Sequence, residues 1–441
     1  MIKAFFKDSL LYTFANLFTR GIGFILLPVY TRIISKAEYG LFDYLTTIGA
    51  LLGVVITLEI TQAIFRFIPE YKEAPEKQIR LASTGFWFSV GMYLLLSILC
   101  FAFSKSLALT LLDDVMYSDL IKITCILFLS NAVLYNFTSL MRANLLSKQV
   151  VIVSTLNAVF VASFSLLFVA YYELGLYGLI SGQLFGILLS IFVAYTRVKT
   201  WIKCVFCFES LKQMLSFSAP LIFSSIGVVL SMFVDRVMLK EFLGAEQLAS
   251  YAVAIKIASI VTLLMVGFQS ALTPLIYANY QKAETPHKIS KLFHFYLSAS
   301  LVSVLLLGTA AHWLVTIIAG VQYTEAANYV APLVCAALFS NMYLFFPGLS
   351  IAKRTTIIAL VNICVGVLNV ILNYLFIPKF GALGAAFSTL FSVFLAFIVN
   401  ATIAQRFYII PINKVFTFFI FCTIGIMLYY FVPVSFKTLI L

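Results

Sequence analysis

Residues 175–195, GLYGLISGQLFGILLSIFVAY, run for 21 positions without a charged side chain, enough for one helix to cross the ~30 Å hydrocarbon core of a bilayer. Gly178, Gly182 and Gly186 recur within it four residues apart, the small-residue stripe that lets two membrane helices approach closely. Working outward, similar runs occupy residues 10–31, 42–65, 82–103, 120–140 and 150–172 before it. Others follow at 214–235, 248–277, 292–312, 328–350, 357–377, 382–404 and 415–433. About 13 spans of roughly 21 residues leave only short loops in a chain of 441 residues. Composition agrees: 63% of residues are hydrophobic and 10% charged, where a soluble domain carries about a quarter charged. A large soluble domain has no room, and GxxxxGK[ST] and GxGxxG are both missing. ATPases, kinases, extracytoplasmic enzymes and nucleic-acid modules are therefore excluded.

The formal charge of +12 reads as loop asymmetry, because Lys and Arg collect in loops that stay on the side of synthesis. With the N-terminus inside, 19 of the 29 basic residues face the cytoplasm and 8 face outward, among them Arg236 and Lys240; Arg20 and Lys256 fall inside spans. The first run is as long as a span, contains Asn16 and Arg20 and lacks a small-residue cleavage site, so it is expected to be a span rather than a cleaved signal.

The chain repeats. A shift of 208 places Ala37-Glu38 on Ala245-Glu246. A shift of 206 places Gly175 and Gly178 on Gly381 and Gly384, Lys148 on Arg354, and Leu184-Phe185 on Leu390-Phe391. The expected fold is an all-α polytopic membrane protein with two pseudo-symmetric six-helix lobes around a central cavity. The lobes are residues 1–196 and 213–405, joined by a basic cytoplasmic linker, 197–212, with an additional C-terminal transmembrane segment in 406–441. Their symmetry axis should lie along the membrane normal.

Cys100, Cys125, Cys335, Cys364 and Cys422 sit in apolar runs, where a thiol acts as a small hydrophobe. Cys204 and Cys207 form a lone CxxC without the two further ligands a zinc site needs. His287, His294 and His312 form no HExxH. No metal, cofactor or catalytic residue is expected. Pro28, Pro220, Pro274, Pro332 and Pro347 lie within or beside spans, where each removes a donor and bends the helix.

Ionisable residues at membrane depth carry the functional signal, since each is costly there and faces a partner or an aqueous cavity. Thr13, Asn16, Arg20 and Gly23 draw one stripe down the first span. Glu59, Gln62 and Arg66 draw another down the second, Ser224, Ser231 and Asp235 share a face of the seventh, and Lys256 and Ser259 one of the eighth. Arg20 can either pair with Glu59 to hold the bundle or contact substrate; its depth favours substrate. Arg66, Asp235 and Arg236 lie at span ends, where side chains can snorkel to water. The candidate binding residues are Arg20, Asn16, Lys256, Arg66 and Arg236, and the candidate coupling-ion residues are Glu59 and Asp235.

The stretches TRGIGFILLPVYTRIISKAEYGLFDY (19–44), SFSAPLIFSSIGVVLSMFVDRVMLKEFLGAEQLASYAVAIKIASI (216–260) and NVILNYLFIPKFGALGAAFST (369–389) resemble the Wzx-type polysaccharide and O-antigen flippases. These belong to the multidrug, oligosaccharidyl-lipid and polysaccharide exporter superfamily. The resemblance spans residues 1 to about 405 and includes Asp235-Arg236, Asn369, Asn373, Pro378, Gly381 and Gly384. It implies a monomeric carrier in the bacterial inner membrane, N-terminus in the cytoplasm. Such a carrier moves undecaprenyl-diphosphate-linked oligosaccharide to the outer leaflet by alternating access for O-antigen, capsule or exopolysaccharide assembly. Implied partners are that glycan lipid, membrane lipids, and the polysaccharide polymerase and chain-length machinery; no nucleic acid is implied. Fixed cations suit a diphosphate, because a guanidinium matches its oxygens in a two-pronged fork. The alternatives are a peptidoglycan lipid-precursor flippase and a cation-coupled multidrug exporter of the same superfamily. A glycosyltransferase or polymerase would need a large extracytoplasmic loop with a catalytic acid or histidine.

Overall fold

In hydrocarbon every backbone N–H and C=O must be satisfied within its own segment, and the apolar runs accordingly fold as helices. The computed structural model describes residues 2–71, 73–262, 272, 276, 279–352 and 354–431; for 2–16, 20, 223, 224, 226, 228–232 and 355 the backbone alone is described. Among the described residues no strand occurs, and nine helical segments are long and apolar enough to cross a membrane. The chain divides into two units, Met1–Ile226 and Gly227–Leu441.

The first unit contains α1 (Ile2–Ile33), α2 (Lys36–Ile56), α3 (Ile60–Phe67), α4 (Pro75–Ala102), α5 (Ser104–Leu112), α6 (Ser118–Ala143), α7 (Ser147–Leu166), α8 (Gly175–Val198) and α9 (Phe208–Ser218). α8 packs on α6 and α7. The glycine stripe does what its spacing predicts: a Cβ on Gly182 or Gly186 would lie 2.5 Å from the backbone of Ser165 or Val161 on α7. At the other end, Ser35 and Glu38 close a capping box at the start of α2. The Glu38 carboxylate also accepts the Leu176 N–H of α8 at 3.2 Å. Gly175, with φ +52°, leaves room for it, since a Cβ there would meet Glu38 Oε1 at 2.6 Å.

The second unit follows α10 (Leu221–Leu243) with α11 (Ala245–Ala258), α12 (Thr285–Ala319), α13 (Ala327–Phe339), a single turn at Gly348–Ile351, α14 (Thr355–Ala404) and α15 (Lys414–Phe431). α14 is helical by hydrogen bonding along 50 residues but turns over at Gly381 (φ 62°, ψ −147°). Its arms return on each other: a Cβ on Gly384 would contact the Phe376 carbonyl, and Asn369 faces Thr389. Gly175 and Gly381, paired by the repeat, thus share a positive φ. Ala37-Glu38 and Ala245-Glu246 both fall in the first turn of a helix, α2 and α11.

Four runs differ from the expected continuous spans. Run 42–65 breaks after α2, where Leu58 and Glu59 adopt left-handed backbone (φ 49° and 54°) before α3 begins. Run 214–235 breaks at Ala219-Pro220 between α9 and α10, because proline cannot donate to the preceding turn. Run 328–350 ends as α13 at Phe339, followed by a short 3₁₀ turn, Met342–Phe345, and Pro347. Of run 248–277, α11 and a turn at Ser259 are seen, with helix resuming to Thr262; Pro274 lies outside the described residues.

Candidate functional site

Among the described residues, a chain of buried polar side chains lies in the second unit. Asp235, on α10, is 3% exposed. Burying a carboxylate at such a place requires donors or a counter-charge, and the fold supplies donors. Tyr251 of α11, itself fully buried, donates its hydroxyl to Asp235 Oδ2 at 2.6 Å, and the Arg236 N–H donates to Oδ1 at 2.8 Å. Thr389, from the second arm of α14, lies near the Tyr251 hydroxyl. Thr389 Oγ1 accepts a long bond from Asn369 Nδ2, 3.5 Å, and Asn369 Oδ1 accepts from Asn373 Nδ2 at 3.0 Å. Asn369 and Asn373, one turn apart on the first arm, are completely buried. Asn373 Oδ1 receives no hydrogen bond.

Three helices therefore bring together a carboxylate, a phenol, a threonine hydroxyl and two amide oxygens. Oxygen-rich, carboxylate-bearing groups of this kind are the chemistry of hard cations and of protons. Asp235, Asn369 and Asn373 stand out in the sequence, but nothing there joins them. Asn369 and Asn373, two amides four apart in an apolar run, were a legible signal; Tyr251 and Thr389 are of types too common in spans to stand out.

Cations border this group. The Arg236 guanidinium lies over the Phe233 ring, 5.6 Å from its centroid. Lys240 Nζ is 3.5 Å from Glu241, with only 2% of the lysine side chain exposed. Both belong to α10, which runs on to Leu243, and the Lys240 side chain is buried.

The remaining candidates are dispersed. Lys256, on α11, is exposed and has no ion-pair partner among the described residues; Ser259 Oγ donates to its carbonyl at 2.6 Å. Glu59 does not continue a helical stripe with Gln62 and Arg66: it stands at the break, half-buried, its carbonyl accepting the Gln62 N–H at 2.8 Å. Arg66, near the end of α3, pairs with Glu70 at 3.5 Å, both about half exposed. The backbone of Asn16 and Arg20 lies in α1, but their side chains lie outside the described residues. Among the described residues no three His, Cys, Asp or Glu side chains cluster to hold a metal.

This architecture, helical throughout and built as two units of related local structure, is that of a polytopic membrane transporter. A family model described as polysaccharide biosynthesis protein matches residues 5–280, and the chain belongs to that family. A second model, MatE, matches residues 220–375. Both place it in the multidrug, oligosaccharidyl-lipid and polysaccharide exporter superfamily, which includes the polysaccharide flippases. The chain is similar to an uncharacterized membrane protein of Methanocaldococcus jannaschii, MJ1068, with 22% identity over 406 residues, 86% of this chain and 79% of that protein. Among solved structures it resembles a multidrug resistance MATE family transporter in its inward-facing conformation, with TM-score 0.67 and 16% identity over 89% of this chain and 94% of that one. It also resembles a superfamily transporter from Pyrococcus furiosus whose binding pocket is described as reversed in polarity, with TM-score 0.58 and 17% identity over 91% and 95% of the two chains.

Proposed function

We propose that this chain is a flippase that carries undecaprenyl-diphosphate-linked oligosaccharide from the cytoplasmic to the outer leaflet of the bacterial inner membrane, using an ion taken up at Asp235. Its N-terminus is cytoplasmic and it works as a monomer. The observation that carries the reading is the buried, hydrogen-bonded Asp235, with buried Asn369 and Asn373 in the same unit, in a member of the polysaccharide biosynthesis family. A carboxylate buried within an apolar helix is costly and marks an ion or substrate path. Arg20, Asn16, Lys256, Arg66 and Arg236 are the groups assigned to the diphosphate and the first sugars, with guanidinium forks for phosphate oxygens. The polyprenyl tail stays in lipid, which already solvates it. Of the two acids, Asp235 is the coupling residue; Glu59, at a chain break beside α3, is the second candidate.

The test is a reconstituted vesicle assay with a lipid-linked oligosaccharide in the outer or inner leaflet and an imposed pH or sodium gradient. Gradient-driven flipping that Asp235→Asn abolishes, with the protein still folded, is the expected result. Flipping indifferent to both gradients and to that substitution would overturn the coupling assignment. A second reading, a cation-coupled drug exporter, is favoured by the MatE match over residues 220–375, which covers Asp235, Asn369 and Asn373. Extrusion of cationic dyes by the same vesicles, without lipid flipping, would decide for it.

A further inference from the structure

The segment after α8 is tied down. Ser83 of α4 accepts the Lys203 N–H at 2.9 Å and donates to the Trp201 carbonyl at 3.3 Å. Trp87, one turn on, donates its indole N–H to the Lys203 carbonyl at 2.9 Å. Thr84 accepts the Cys207 N–H at 3.1 Å. Three side chains on neighbouring positions of α4 thus hold the backbone of 201–207, and α9 continues the attachment, Met214 seating against Gly85 and Phe217 edge-on to Phe67 at 5.6 Å.

With the backbone occupied inward, the side chains of Val205, Phe206 and Phe208 point out, the last two 54% and 73% exposed. An apolar loop tip of this kind is costly in water. The helix that leads into it carries an exposed apolar stripe of its own: Phe185, Leu188, Leu189, Phe192 and Tyr195 lie along α8, and Arg197 and Lys199 follow in the chain. From 197 to 212 the exposed charges are Arg197, Lys199, Lys203 and Lys212 against one acid, Glu209.

We infer that residues 203–208 are a membrane-surface anchor: Phe206 and Phe208 enter the headgroup region of the adjoining leaflet, and Lys199, Lys203 and Lys212 select anionic phospholipid there. Aromatic rings flanked by bases are the pairing that interfacial anchors use, apolar burial and charge attraction acting together. Because the segment is pegged to α4, the anchor holds the first unit to the bilayer surface. This does not depend on what the protein transports.

The test uses the full chain in nanodiscs, with Phe206→Cys or Phe208→Cys made in a background in which all seven native cysteines are replaced, carrying an environment-sensitive fluorophore. Blue-shifted emission, quenched by spin labels placed shallow in the lipid and strengthened by anionic lipid, is expected. In Lys199→Gln, Lys203→Gln and Lys212→Gln the inserted state should weaken about fivefold per lysine removed, with thermal stability unchanged because all three side chains are exposed. Water-like emission without quenching in every lipid would overturn the anchor and leave the tip to a soluble protein partner. Quenching equal in zwitterionic and anionic discs would overturn the lysine selectivity.

Discussion

Tyr251 places its hydroxyl oxygen 2.6 Å from Asp235 Oδ2, and neither side chain reaches solvent. The tyrosine stabilises the ionised carboxylate, and hydrogen bonds to charged groups contribute about 1.5–3 kcal/mol. Tyr251→Phe removes that bond while keeping the ring's packing. In the proposed coupling role, the variant should flip substrate only under a gradient altered by about tenfold or more in ion concentration. Ion dependence of the initial rate measures this; an unchanged profile would make the pair architectural.

Asn373 offers a sharper probe, since its oxygen is buried without a donor. Asn373→Asp puts a carboxylate next to the Asn369 amide, at a fully buried position where burial favours the protonated form of the new acid. The expected outcome is a pH optimum for transport displaced upward relative to the parent protein, with substrate binding retained. Asn373→Leu, of nearly the same size, should remove ion dependence.

Arg20 and Lys256 separate by chemistry. Arg20→Ala should abolish flipping and Arg20→Lys should reduce it, because an ammonium supplies charge without the fork. A Cys at position 256 should change its labelling rate when substrate is added. Full transport by the Arg20→Ala variant at normal protein level would remove Arg20 from the binding group, and a labelling rate indifferent to substrate would do the same for Lys256.

The helix contact at Gly182 predicts a stability effect remote from any chemistry. Gly182→Ala drives a methyl into the Ser165 backbone, and overpacking of this kind costs about 1–3 kcal/mol. Its melting temperature in detergent should fall, whereas Gly21→Ala, where nothing stands within 4 Å, should leave it unchanged.

Cys207 begins α9, and the Ser210 N–H and then its hydroxyl hold the thiol below its usual range, with Arg80 adding to them. A lowered thiol is ionised at lower pH, so alkylation of Cys207 should set in below the pH at which an ordinary thiol reacts. Ser210→Ala leaves the N–H in place but removes the hydroxyl's share, and should shift the onset partway back up.

Much of the architecture was legible because membrane helices announce themselves by length and apolarity. The repeat was legible too, in Gly175 and Gly381, since both positions require a backbone that other residues resist. What escaped the sequence were interruptions and companions. Leu58-Glu59 breaks a run whose polar residues, Glu59, Gln62 and Arg66, are spaced as on one continuous helix face, and neither residue is a glycine or proline that would mark a turn. Pro220 does mark one, but the apolar run on both sides hid it. The Asp235 group escaped because it assembles residues from 235 to 389, and only the folding back of α14 at Gly381 sets Asn369 against Thr389. The burial of Lys240 is likewise illegible, since charge alone suggests an exposed position.

The break at Leu58-Glu59 also gauges hydration. Between α2 and α3 the hydrogen bonds shorten to three-residue turns, Leu58 to Val55, Ile60 to Thr57 and Gln62 to Glu59, and irregular backbone persists at membrane depth only where protein or a water-filled space surrounds it. If water reaches it, amide protons from 58 to 62 will exchange with deuterium far sooner than those of α2 on one side and α4 on the other. The span would then be porous to solvent at this one break, and mass spectrometry of the corresponding peptide would read its hydration as a clock.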